Sequence, residues 1–193
     1  ALEILEEGPL GWGQGKAAEA PSFLTRYGKR GAMITAVDLL RGIANMIGWD
    51  NLSCPGITSY HDNDYAAQGK FTCDSLDQYD VVCCHVEAPD EASHAANFSE
   101  KIESLEAIDE YVVGPILAKL QTYKDWRIMV LPDHATQCST RKHYDEPVPF
   151  AIAGTGMNNV FPRPFTEAAA KTSDLHIQRG YDLMEYFLSV SAK

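Results

Sequence analysis

The chain has no C-x-x-C pair, no apolar run near the roughly 20 residues of a membrane-spanning helix, no internal repeat and no low-complexity tract. The first absence removes the usual cysteine spacing of a zinc ribbon or a dithiol redox site. The second removes a helical membrane span. Basic residues are also scarce: 16 Lys and Arg face 27 Asp and Glu, a formal charge of −11. That balance argues against nucleic acid or an anionic membrane as the partner. An anionic small substrate stays open, because bound divalent cations invert the local field. The five cysteines are odd in number, and Cys83 and Cys84 adjoin inside an apolar run. They read as small buried hydrophobes and point to a reducing, cytoplasmic setting. The acidic start, ALEILEEG, is no signal peptide, and with no initiator Met the chain is expected to begin partway through a longer gene product.

What is there is a regular alternation over 193 residues, enough for one domain with a sizeable core. Residues 1–31 are a glycine-punctuated, loop-rich entry segment, with GPLGWGQG at 8–15. AMITAV (32–37) reads as a strand and passes into DLLRGIANMIGW, where Leu39, Leu40, Ile43, Met46 and Ile47 fall at helical spacing. Residues 60–79 read as loop then helix. DVVCCHVE (80–87) is continuously apolar, as a strand covered on both faces is. From about Ser99, Ile102, Leu105, Ile108, Val112, Ile116 and Leu120 mark one amphipathic helix, with a kink expected at Gly114-Pro115. WRIMVLP and PVPFAIAG read as further strands, and residues 165–172 and 180–190 as closing helices. The pattern predicts an α/β fold, a mostly parallel sheet with helices on both faces.

In such folds ligands gather at the carboxyl ends of strands. After DVVCCHVE come Asp90 and His94, which share a face if the turn after Pro89 is helical. RIMVLPDH delivers Asp133 and His134 back to back, and adjacent residues leaving a strand should diverge, suiting two ions side by side. His143 precedes the last apolar run. Carboxylate and imidazole together favour Zn²⁺, Mn²⁺ or a similar ion over Ca²⁺. His85 is a candidate substrate contact or a buried structural histidine. Arg30, Lys29 and Lys16 are candidate anion contacts or a solvated basic loop. Ser93, Ser99 and Thr136 are hydroxyls nearby in sequence, and read as turn or cap residues.

HVEAPDEASH, LPDHATQ and KHYDEPVPF, in this order, resemble the cofactor-independent phosphoglycerate mutases of the archaeal-type branch, in the alkaline phosphatase superfamily. GWGQGKA, GAMITAVDLLRGIA and ITSYHDNDYAAQGK look like that branch's intervening segments. Ser93 stands where the family usually has Gly, Gln137 where it has Pro, and residues 61–67 depart further. The resemblance implies an alkaline-phosphatase-like domain whose N-terminal part, with its nucleophilic serine, is missing. It implies that Asp90, His94 and His143 bind one ion. Asp133 and His134 would bind a second, completed by an aspartate and the absent serine. The implied ions are Mn²⁺, Zn²⁺, Co²⁺ or Mg²⁺, and the implied substrate is phosphoglycerate, passing through a phosphoserine. Rival expectations are another phosphoryl-transfer or phosphatase member, of the kind labelled phosphonopyruvate decarboxylase or homoserine-kinase-like, and a non-catalytic metal-binding domain. The chain alone is expected to be inactive and to self-associate through bared apolar edges.

Overall fold

Gly31–Ile34 forms strand β1, every residue of it buried, and a continuously apolar strand of this kind needs cover on both faces. The computed structural model of the chain describes residues 19–157 and 163–189. GWGQGKA and Lys16 lie outside them. Strand β1 pairs in parallel with β2 (Asp50–Asn51) on one side and β3 (Val81–Cys84) on the other, with Met33 opposite Cys83 and Ile34 opposite Cys84. One face of this sheet is packed by Phe23 of α1 (Phe23–Tyr27), Leu40 and Ala44 of α2 (Asp38–Met46) and Trp49. Gly31 is required there, because a Cβ would fall on the Trp49 ring. The other face carries Cys84 and Val86 against Tyr65 of α3 (Tyr65–Ser75) and Ala88 of α4 (Ala88–His94). The α/β architecture, a parallel sheet with helices on both faces, is therefore present.

Three features depart from the sequence pattern. First, β4 (Arg127–Val130) pairs antiparallel with β7 (Ala151–Gly154), so two of the expected strands form their own ladder beside the parallel sheet. Second, α1 occupies part of the segment expected as loop; Ser22 caps its start and Gly28 ends it at a φ of 65°. Third, the helix expected from Ser99 to Leu120 is built of α5 (Phe98–Ala107), a π-helical segment (Ile108–Val113) and α6 (Gly114–Leu120).

The π segment explains where the apolar stripe goes. The Gly114 N–H bonds the Asp109 carbonyl five residues back, and Pro115 has no N–H to offer Tyr111. The extra residue in that turn rotates the faces on either side of it. Val112 and Leu120 are buried at 4% and 7% exposure, while Ile102 and Leu105 stay 56% and 50% exposed. With Phe98 they form an outward apolar stripe on α5, and Leu39, Ile43 and Met46 form another on α2. Against the π segment packs Gly69 of α3, where an added Cβ would strike the Tyr111 carbonyl. The C-terminal elements are α7 (Glu167–Ala170), a 3₁₀ turn (Gly180–Asp182) and α8 (Leu183–Ser189), whose Met184 and Leu188 return to the Phe23–Trp49 core. No described helix is long and apolar enough to cross a membrane.

Candidate metal centre

The carboxyl end of β3 is where polar chemistry begins. Pro89 occupies the first turn of α4, where its missing N–H costs nothing, and one helical turn then sets Asp90 beside His94. Asp90 Oδ2 lies 3.2 Å from His94 Nε2. Ser93, between them and fully buried, donates its hydroxyl to the Pro89 carbonyl at 2.6 Å. Ser99 donates to Glu103, while Asn97 is the residue that caps α5.

His143 arrives on a hairpin that local sequence does not announce. Strands β5 (Ala135–Gln137) and β6 (Lys142–Tyr144) are three residues each and mostly polar, and their register places Thr136 opposite His143. Arg141, in the turn between them, takes a φ of 57°, a region disfavoured for a residue with a side chain. In that conformation its carbonyl meets His94 Nδ1 at 3.0 Å. A carbonyl only accepts, so His94 carries its proton on Nδ1 and leaves the Nε2 lone pair open. That lone pair faces His143 Nε2 at 2.8 Å, and His143 Nε2 is 3.3 Å from Asp90 Oδ1.

His134 completes the cluster. Its ring lies over that of His143 with centroids 3.9 Å apart, and donor atoms of Asp90, His134 and His143 all fall within 4.8 Å of one another. The expected divergence of Asp133 from His134 is not observed. Strand β4 ends at Val130, so the pair sits in a bend, and Asp133 Oδ2 approaches His134 Nε2 to 3.3 Å. The five expected metal residues are thus brought together, with Asp90, His94, His134 and His143 as one tight group and Asp133 at its exposed rim. Ligands bound at about 2.0–2.1 Å to a tetrahedral ion stand roughly 3.3 Å apart. The spacings of 2.8–3.3 Å among Asp90, His94 and His143 suit such an ion.

His85 follows β3 directly and is engaged at both ring nitrogens. Thr35, buried at the carboxyl end of β1, meets Nδ1 at 2.9 Å, and Glu87 meets Nε2 at 3.2 Å. A carboxylate accepts, so Glu87 favours a proton on Nε2, and the Thr35 hydroxyl, which also accepts the Val37 N–H, then donates to Nδ1. Burial pushes the His85 pKa down, against the upward pull of the Asp133 and Asp90 charges. Burial also pushes Glu87 up, and the neighbouring Asp90, Asp133 and Glu91 add to that.

Arg30 is not brought to this site. It precedes β1, at the amino end of the sheet, where its N–H binds Asp80, its guanidinium approaches Asp50 at 3.9 Å and it stacks over Tyr79. Four strand residues separate it from Thr35, on the order of 16 Å of extended chain. A cation at the carboxyl end of β1 is Arg41, not picked out by the sequence pattern, which donates two bonds to the Thr35 carbonyl at 3.0 and 3.2 Å. Thr136, expected as a turn or cap residue, instead donates its hydroxyl to Asp90 Oδ1 at 2.5 Å. Beside the cluster, a cleft of about 620 Å³ opens between the Tyr60–Asp62 loop, Glu91 and His94 of α4, and Glu100 of α5.

The pattern of the metalloenzyme superfamily matches residues 8–189. Over 182 residues the chain is 41% identical to 2,3-bisphosphoglycerate-independent phosphoglycerate mutase 2 of Methanothermobacter thermautotrophicus, covering 94% of this chain and 45% of that protein. A probable 2,3-bisphosphoglycerate-independent phosphoglycerate mutase of Geobacter sulfurreducens is 39% identical over 178 residues, 92% of this chain and 45% of its own length. Among solved structures, a Pyrococcus horikoshii protein superposes at a TM-score of 0.81 with 28% identity, over 87% of this chain and 50% of that one. The cofactor-independent phosphoglycerate mutase of Thermoplasma acidophilum shares the fold at a TM-score of 0.52 and 18% identity, over 88% and 38% of the two chains. The chain spans about half the length of the curated relatives it matches.

Proposed function

The chain belongs to the metalloenzyme superfamily, and from that premise we propose that it is the C-terminal part of a metal-dependent phosphoglycerate mutase. The complete protein interconverts 3- and 2-phosphoglycerate in the cytoplasm, within glycolysis and gluconeogenesis. The observation that carries this reading is the convergence of Asp90 and His94 with His134 and His143, from segments about 40 residues apart, in a chain whose relatives bear that name.

In this reading Asp90, His94 and His143 hold one divalent ion, and Asp133 and His134 contribute to a second. One carboxylate with imidazoles suits Mn²⁺, Zn²⁺ or Co²⁺, with Mg²⁺ less favoured by the nitrogen donors. Bound ions supply charge neutralisation at the phosphoryl oxygens and an easier deprotonation of the attacking hydroxyl. The chain's own residues do the positioning. The Arg141 carbonyl turns the His94 lone pair inward. His85, clamped between Thr35 and Glu87 at the carboxyl end of β3, can serve a substrate oxygen from Nε2 only where that oxygen replaces Glu87 as its partner.

The hydroxyls of Ser93, Ser99 and Thr136 are committed to Pro89, Glu103 and Asp90. Their commitment supports a nucleophile supplied by the rest of the complete protein, and an isolated chain without turnover. The apolar stripes on α2 and α5 support faces covered by further polypeptide, and self-association of the chain on its own. Assay of the complete gene product with each phosphoglycerate and Mn²⁺ tests the reading. Interconversion is expected. Rapid release of inorganic phosphate without interconversion would make it a phosphatase instead, and neither activity would leave a metal-binding domain.

A further inference from the structure

We propose that Thr136 is the positioning residue of the centre, selecting the tautomer of His134 and orienting Asp90 with a single hydroxyl. The proposal rests on the ligand reading above, and adds a residue that touches no substrate.

Thr136 sits in the middle of β5 at 8% exposure. Its Oγ1 lies 2.5 Å from Asp90 Oδ1 and 3.2 Å from His134 Nδ1. A hydroxyl has one proton to give, and the ionised carboxylate can only accept it. The proton therefore points at Asp90, and an Oγ1 lone pair faces His134 Nδ1. His134 is then drawn to donate from Nδ1, against the Asp133 carboxylate 3.3 Å from its Nε2, and an Nδ1–H ring turns its Nε2 lone pair toward the cluster. The same logic holds at His94, where a backbone carbonyl is the acceptor. Thr136 does with a side chain what Arg141 does with its main chain.

The hydroxyl is itself held from two sides. The β5–β6 ladder fixes its backbone opposite His143, and the Lys101 ammonium donates to its carbonyl at 2.7 Å. Its two partners come from α4 and from the bend after β4, so one group sets the mutual orientation of both halves of the cluster. Partners of this kind fix ligand orientation and basicity, and their loss costs 10–100-fold in metal affinity.

Thr136→Val keeps the shape and removes the hydroxyl, while Thr136→Ser keeps the hydroxyl. Titration of the purified chain with Co²⁺ or Mn²⁺ is expected to show affinity weakened about 10–100-fold in T136V and restored in T136S. On the metal-free chain, ¹⁵N-resolved imidazole NMR is expected to show a larger Nδ1–H share for His134 in the wild type and in T136S than in T136V, where Asp133 alone acts on the ring. That second readout does not move if Thr136 only supports packing. An unchanged tautomer in T136V overturns the proposal. A changed tautomer, with metal binding indifferent to Asp90→Ala as well, sinks the ligand assignment and leaves the positioning role intact.

Discussion

The Arg141 carbonyl accepts the His94 Nδ1 proton at 3.0 Å, across 47 residues of sequence. The contact depends on Arg141 holding a left-handed φ of 57°, while its own N–H bonds the Gln137 carbonyl at 2.7 Å. A side chain in that region costs about 1–2 kcal/mol, which the turn tolerates because it aims the carbonyl.

Arg141→Gly relieves that strain and keeps the carbonyl. Denaturant unfolding is expected to show a gain of about 0.5–1 kcal/mol with metal affinity unchanged. Arg141→Pro, which cannot adopt a positive φ and loses the bond to Gln137, is expected to weaken both. A destabilised glycine variant would contradict the account.

Replacing Asp90 by Ala removes the carboxylate that touches His94, His143 and Thr136. The wild-type chain is expected to retain about one divalent ion after desalting, and the variant well under a tenth of that. Elemental analysis of both proteins decides it, and equal metal content refutes the site.

Gly69 separates helix propensity from packing. Propensity alone makes Gly69→Ala stabilising by about 1 kcal/mol. The new methyl would meet the Tyr111 backbone carbonyl, which cannot swing aside as a side chain does. The expected result is a net loss of about 1–3 kcal/mol by chemical denaturation. A more stable variant would show that α3 and the π segment have room to separate.

Burial raises the thiols of both Cys83 and Cys84 to about 11, with each pair's neighbouring thiols adding to the rise. A thiol raised in the folded state keeps its proton longer than in the unfolded chain, so the unfolded state binds fewer protons above pH 9. The stability these groups contribute is present below about pH 9 and lost between about pH 9 and 11, on the order of 2 kcal/mol each. Urea unfolding across that range should slope downward, and more gently in a Cys83→Ala, Cys84→Ala variant. Equal slopes in the two proteins would remove burial as the cause.

The parts legible in the sequence are those set by neighbours along the chain. DVVCCHVE is continuously apolar and forms a two-faced strand; Pro89 starts a helix, and a four-residue spacing puts Asp90 beside His94. The parts not legible there depend on geometry that periodicity does not carry. Ile102 and Val112 belong to one apolar stripe on paper, and a π turn sends them to opposite environments. Asp133 and His134 converge because β4 stops short of them.

Arg30 illustrates the same limit, since its charge was evident but only the direction of β1 shows it at the wrong end of the sheet. By itself the sequence determined the α/β class, the residue types of the centre and the helical pairing of Asp90 with His94, because spacing and hydrophobic period act locally. Tertiary structure alone decided that His143 and His134 join them, that Thr136 and the Arg141 carbonyl orient the imidazoles, and that Arg30 does not take part. Those contacts are made by a short polar hairpin and a strained turn. Their stability comes from what they pack against, and no local pattern records it.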